Sequence, residues 1–173
     1  MRPEWQFVML GPVVKIDSSK LPVAPNIHFL GMKQYADLPA YFSGWQIGML
    51  PFALNESTRF ISPTKTPEYL AAGLRVVSTP IRDVVRPYGD AKLVAVAGTA
   101  EEFVSASAKL LAEEPGGDFH ARVDAFLTTS SWAKTWREMD QLMEQTLLES
   151  RLDPGRIHIS SIPSSGMAGV SNV

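Results

Sequence analysis

The chain has 173 residues, 45% of them hydrophobic, a formal net charge of −2 and no cysteine, which suits one domain of ordinary size with a real core in a reducing compartment. A near-neutral balance without blocks of like charge argues against a nucleic-acid groove or a polybasic membrane patch, and the lack of cysteine removes disulfides, thiolate nucleophiles and cysteine-ligated metals. The opening "MRPEWQFVMLGP" is too polar for a signal peptide, and no stretch approaches the roughly 18 apolar residues of a membrane span, so a soluble, cytoplasmic protein is expected.

Short apolar runs bounded by Gly, Pro, Asn or Asp recur along the first two thirds: "WQFVML" (5–10), "IHFLG" (27–31), "WQIGMLPF" (45–52), "RVVST" (75–79) and "KLVAVAG" (92–98). Several are apolar at consecutive positions, the pattern of strands covered on both faces. Helical patterns separate them. "QYADLPAYFSG" (34–44) sets Tyr35, Leu38 and Phe42 on one side, and "PEYLAAG" (67–73) ends at Gly73, a natural left-handed stop. "TAEEFVSASAKLLAEE" (99–114) opens with Thr99 and carries Glu102 three residues on, a capping box. The alternation predicts an α/β domain with a mostly parallel sheet.

After position 115 two helices are expected. The second carries Trp132, Trp136, Met139, Met143 and Leu147 as one stripe, which suits packing on its own domain or docking of a neighbouring one. Residues 1–150 read as a single incomplete Rossmann-like domain. The Ser-, Gly- and Pro-rich stretch 151–173 reads as a disordered tail, mobile from residue 153 on.

The stretch "SPTKTPEYLAAG" (62–73) holds two hydroxyl–proline pairs, Ser62-Pro63 and Thr66-Pro67. Thr66 is the expected helix cap, because a cap at Ser62 would put Pro67 inside the helix. The helix start then presents unpaired N–H groups to a phosphate, and Lys65 adds a full charge. Glu68 on the first turn has two readings. It complements the helix dipole, or its carboxylate accepts hydrogen bonds from a vicinal diol such as a ribose. No metal-ligand spacing is visible, and His28, His120 and His158 are scattered.

In order and spacing, Phe29-Leu30-Gly31, Asp37-Leu38-Pro39, Glu68, Ala71, Gly73, Val76-Val77 and Ser78 resemble the C-terminal half of a retaining GT-B glycosyltransferase of the family 4 (group 1) kind. The resemblance covers residues 5–147, and "SWAKTW" (131–136) is similar to the start of that family's last helix. It implies a Rossmann-like, mostly parallel sheet with flanking helices, and transfer of a sugar from a nucleotide-diphosphate sugar to an acceptor without a cofactor or a metal. It places Glu68 on the donor's ribose and Ser62, Pro63, Thr64 and Lys65 around the diphosphate, with Lys65 stabilising the leaving group. Gly11 and Pro12, with Gly31 and Met32, would lie by the base, although Met32 reads equally as a core side chain. Glu56 and Arg59 would reach sugar or phosphate, or belong to an ordinary solvated loop. The family's first glutamate is replaced by Phe60, its Arg/Lys pair is absent, and "RPEW" resembles the end of a helix that follows a missing first strand–helix unit. A fragment is therefore expected, whose missing N-terminal domain would dock on the Trp132/Trp136 helix. Two other classes compete: a non-catalytic α/β interaction module, and a nucleotide-sugar epimerase. The epimerase is disfavoured because neither a Gly-x-Gly fingerprint nor a Tyr-x-x-x-Lys pair is present.

Overall fold

The computed structural model describes residues 2–113, 116–129 and 132–152. Five short strands form, each trimmed relative to its apolar run: β1 (Phe7–Met9), β2 (Ile27–Phe29), β3 (Ile47–Leu50), β4 (Arg75–Ser78) and β5 (Val94–Val96). The helices are α1 (Leu38–Phe42), α2 (Lys65–Ala71), the single turn α3 (Arg82–Val84), α4 (Ala100–Ala112), α5 (Phe119–Thr128) and α6 (Trp132–Leu152). Strands and helices alternate as far as α4, and every strand pair is parallel. This is the Rossmann-like α/β architecture the apolar runs predict.

The sheet, however, is in two pieces. β1 pairs with β2, Val8 opposite His28. β4 lies between β3 and β5, with Gly48 opposite Val76 and Val77 opposite Ala95. β4 is the central strand of its sheet, and Val76, Val77 and Ser78 are all buried, as a strand covered on both faces requires. Leu50, Leu70, Val84 and Val94 pack the same core. Among the described residues every buried hydrophobic side chain lies at position 42 or later. On β1 and β2, Met9 and Phe29 are exposed.

Local signals fix the helix ends. Beyond α2, Gly73 takes a φ of 80°, the Gly73 amide donates to Leu70 and the Leu74 amide to Tyr69. These two bonds close a Schellman motif. α4 begins as its sequence says, with the Thr99 hydroxyl accepting from the Glu102 amide at 3.2 Å. The reciprocal bond of the box is displaced by one residue, since Glu102 Oε2 accepts from the Gly98 amide.

Two compact units divide the chain, residues 1–125 and residues 126 onward, the break falling within α5. On α6, Trp136, Met139, Met143 and Leu147 are exposed, and the Trp132 side chain and residues 153–173, where the mobile tail is expected, lie outside the described residues.

Candidate donor-binding site

The candidate site is built around the head of α2. The helix begins two residues earlier than expected, at Lys65, with Thr64 in the cap position and no side-chain capping bond. Thr66 is therefore not the cap. It lies in the first turn, fully buried, with its amide donating to the Pro63 carbonyl at 3.1 Å. Pro67 does not prevent this, because first-turn N–H groups have no intrahelical acceptor to lose. The Thr66 hydroxyl has no hydrogen-bond partner. Pro63 is buried beneath the turn, while Ser62 and Thr64 are exposed.

One turn on, the Glu68 carboxylate lies 3.3 Å from the Lys65 ammonium, with 25% of the Glu68 side chain exposed. That contact is an ion pair without hydrogen-bond geometry, so the buried Oε2 has no donor. The other oxygen, Oε1, receives only a long bond of 3.5 Å from the Tyr35 hydroxyl. A half-buried carboxylate with a neighbouring cation and unused acceptor capacity is suited to hydroxyl donors arriving from a ligand. Beside it, Tyr69 sits at the centre of an aromatic cluster, edge-on to Phe42 at 5.3 Å and to Trp45 at 6.4 Å. Burial, and secondarily the charge of Glu68, pushes its phenol pKa up.

Lys65 and Tyr69 face a cavity of about 810 Å³ that is also lined by Gly11, Pro12, Met32 and Lys33. The loops carrying those residues are tied together, the Gly11 amide donating to the Gly31 carbonyl at 3.0 Å. Both glycines have positive φ, 125° and 68°, and Gly11 in particular holds a conformation that a side chain would strain. The Met32 side chain is 73% exposed, so the core reading of that residue is set aside. Gly11, Met32 and Lys65 thus share one cavity; Glu68 does not line it and is tied to it by the ion pair with Lys65.

Glu56 and Arg59 belong elsewhere. They pair with each other at 3.5 Å and line a separate cleft of about 540 Å³ with Phe60 and Arg82. There the Arg59 and Arg82 guanidiniums both lie over the Phe60 ring, at 5.2 and 5.6 Å. His28 bonds to the Gln6 side chain at 2.8 Å, His120 packs against Gly73, and His158 lies outside the described residues. Among the described residues no group of three or more His, Asp or Glu is placed to hold a metal ion, and no helix is long and apolar enough to cross a membrane.

Sequence reasoning missed Tyr35 and Lys33. Tyr35 was expected on the apolar side of its helix. It lies instead in a 3₁₀ turn, Tyr35–Asp37, that precedes α1, and this turn rotates it out of that stripe to 73% exposure. The "Asp37-Leu38-Pro39" step was the available signal, since a proline fixes where the regular helix starts.

Comparison with known proteins bears on the family of the chain. An 81-residue stretch is 30% identical to a protein of Bacillus subtilis (strain 168) assigned as the teichuronic acid biosynthesis glycosyltransferase TuaH, covering 45% of this chain and 20% of that relative. The chain therefore matches only a small part of the relative's length. No solved structure matches the chain. The model of the family described as glycosyl transferases group 1 matches residues 1–113; these include all five strands, α2 and every residue lining the larger cavity, and the chain belongs to that family.

Proposed function

We propose that this chain supplies the nucleotide-sugar side of a retaining glycosyl transfer, in which a sugar passes from a nucleotide diphosphate to an acceptor. The bond from the anomeric carbon to the diphosphate oxygen breaks and one to the acceptor oxygen forms. The acceptor's proton leaves with the diphosphate or to solvent. The observation that carries the reading is the Lys65–Glu68 pair at the head of α2, with Lys65 also lining the cavity shared by Gly11 and Met32. Glu68 would take the ribose hydroxyls on its under-used oxygens. Lys65, released from Glu68, would turn to the diphosphate and stabilise the charge that grows as the sugar departs. Ser62 and Thr64 flank the diphosphate, and Gly31 shapes the loop against the base.

Charged hydrogen bonds contribute about 1.5–3 kcal/mol each, so losing both Glu68 bonds should weaken binding by about a hundredfold or more. Calorimetric titration with UDP and GDP tests this. One of the two is expected to bind and to raise the melting temperature, and Glu68→Ala is expected to lose that affinity while melting as the parent does without nucleotide. Equal affinity in the variant would take Glu68 out of the site. A flat response to both nucleotides at millimolar concentration would overturn the reading.

A further inference from the structure

Three charged side chains line the cavity of about 810 Å³: Glu4, Lys33 and Lys65. Two of them have a counter-ion, Glu4 in Arg2 at 3.5 Å and Lys65 in Glu68 at 3.3 Å. Lys33 differs. It forms no ion pair among the described residues, and its ammonium lies 5.8 Å from the centre of the Tyr41 ring, a contact that positions a cation without neutralising it. The backbone on either side is tied down. The Gly31 carbonyl accepts from the Gly11 amide, and the Gln34 carbonyl accepts from the Asp37 amide at 3.0 Å. Lys33 therefore stands, half-buried, in a held loop beyond the carboxyl end of β2, where open parallel sheets take their ligands.

We propose that Lys33 is the second cation of the donor site and makes that site selective for a nucleoside diphosphate over a monophosphate. The inference rests on the nucleotide reading above. Charge balance carries it. The Lys65–Glu68 pair sums to zero, so as a pair it offers no net attraction to a polyanion. Once Glu68 turns to the ribose hydroxyls, Lys65 is free to balance one phosphate. A diphosphate brings further negative charge against a wall of largely apolar side chains, and a charge taken out of water needs a partner of opposite sign. Neutral side chains of the lining such as Gln6 and Gln46 can donate hydrogen bonds but supply no charge. Lys33 is the lining cation with no other commitment. The competing role for Lys33 is a contact to the base, which would act on monophosphate and diphosphate alike.

Calorimetric titration of the full chain tests it, comparing whichever of UDP and GDP binds with its own monophosphate, in the parent, Lys33→Met and Lys33→Arg. Methionine keeps an unbranched stem beside Tyr41 and drops the charge. Lys33→Met is expected to weaken diphosphate binding by about tenfold to a hundredfold, the range of one charged hydrogen bond, and monophosphate binding by less than about threefold. Lys33→Arg is expected to recover most of the diphosphate affinity, and the salt dependence of that binding to shrink in Lys33→Met alone. The proposal is overturned if Lys33→Met binds the diphosphate as the parent does, if it loses both nucleotides by the same factor, as a base contact or a fold defect would, or if Lys33→Arg recovers nothing. A parent that binds neither UDP nor GDP overturns the nucleotide reading and this inference with it. A parent that binds, beside a Lys33→Met variant that binds equally, sinks this inference alone.

Discussion

Glu68 shows how one residue can be placed by local chemistry and still remain available. Its position on the first turn satisfies the dipole of α2, yet only Lys65 and a distant Tyr35 hydroxyl engage it. Gly48 is the opposite case, a residue whose whole role is to be small. A β-carbon there would come within 2.5 Å of Tyr69 Cδ2 and 2.8 Å of Cγ. The near end of that ring is held by Phe42 and Trp45 and has little room to give. Gly48→Ala should therefore destabilise by about 1–3 kcal/mol, the usual cost of overpacking, measured by urea denaturation. A change within 0.5 kcal/mol or so would mean the cluster repacks freely.

Among the elements, α4 is the one whose start is written most plainly. Thr99→Ala should cost about 1 kcal/mol, and Thr99→Ser should restore most of it, both readable as shifts in the urea midpoint. The strands and helices of the first unit were legible in the sequence because consecutive apolar residues and Gly stops report burial directly. Gly73 and Thr99 needed no tertiary information. The start of α2 was not legible, because the choice between Thr64 and Thr66 as cap depends on Thr66 being buried under the turn, and burial is a property of the fold. Tyr35 failed for a related reason: a 3₁₀ turn changes the side-chain phase by an amount that no 3.6-residue pattern records. The candidate site residues divided likewise. Gly11, Met32 and Lys65 converge, whereas Glu56 and Arg59, only a few residues from Lys65 in sequence, face a different cleft beside Arg82. Local spacing did not reveal that Arg82, on the far side of β4, would claim the Phe60 ring.

At the scale of the whole molecule, two half-buried tyrosines shape the alkaline limit. Burial raises the pKa of Tyr69, with a smaller push from Glu68, and burial raises that of Tyr88. In the unfolded chain both ionise near the ordinary value of about 10. The folded state therefore holds protons that the unfolded state releases, and stability, full below that pH, is lost as pH climbs through the raised values. Denaturation midpoints should fall above pH 10 or so, in step with phenolate absorbance, and Tyr69→Phe should lessen the fall. A midpoint that is flat through this range would contradict the partial burial of both rings.

Two ladders that share no rung need not open together. The β3–β4–β5 ladder carries the buried side chains, and the β1–β2 ladder carries none. Cooperativity in a protein of this size usually passes through one continuous sheet; here it has a seam. Native-state exchange should show the Phe7 amide, which is bonded to Asn26, escaping through a small sub-global opening, while Val77 escapes only when the entire unit comes apart. The β1–β2 segment, Phe7–Phe29, is thus a detachable leaf on a sturdier trunk.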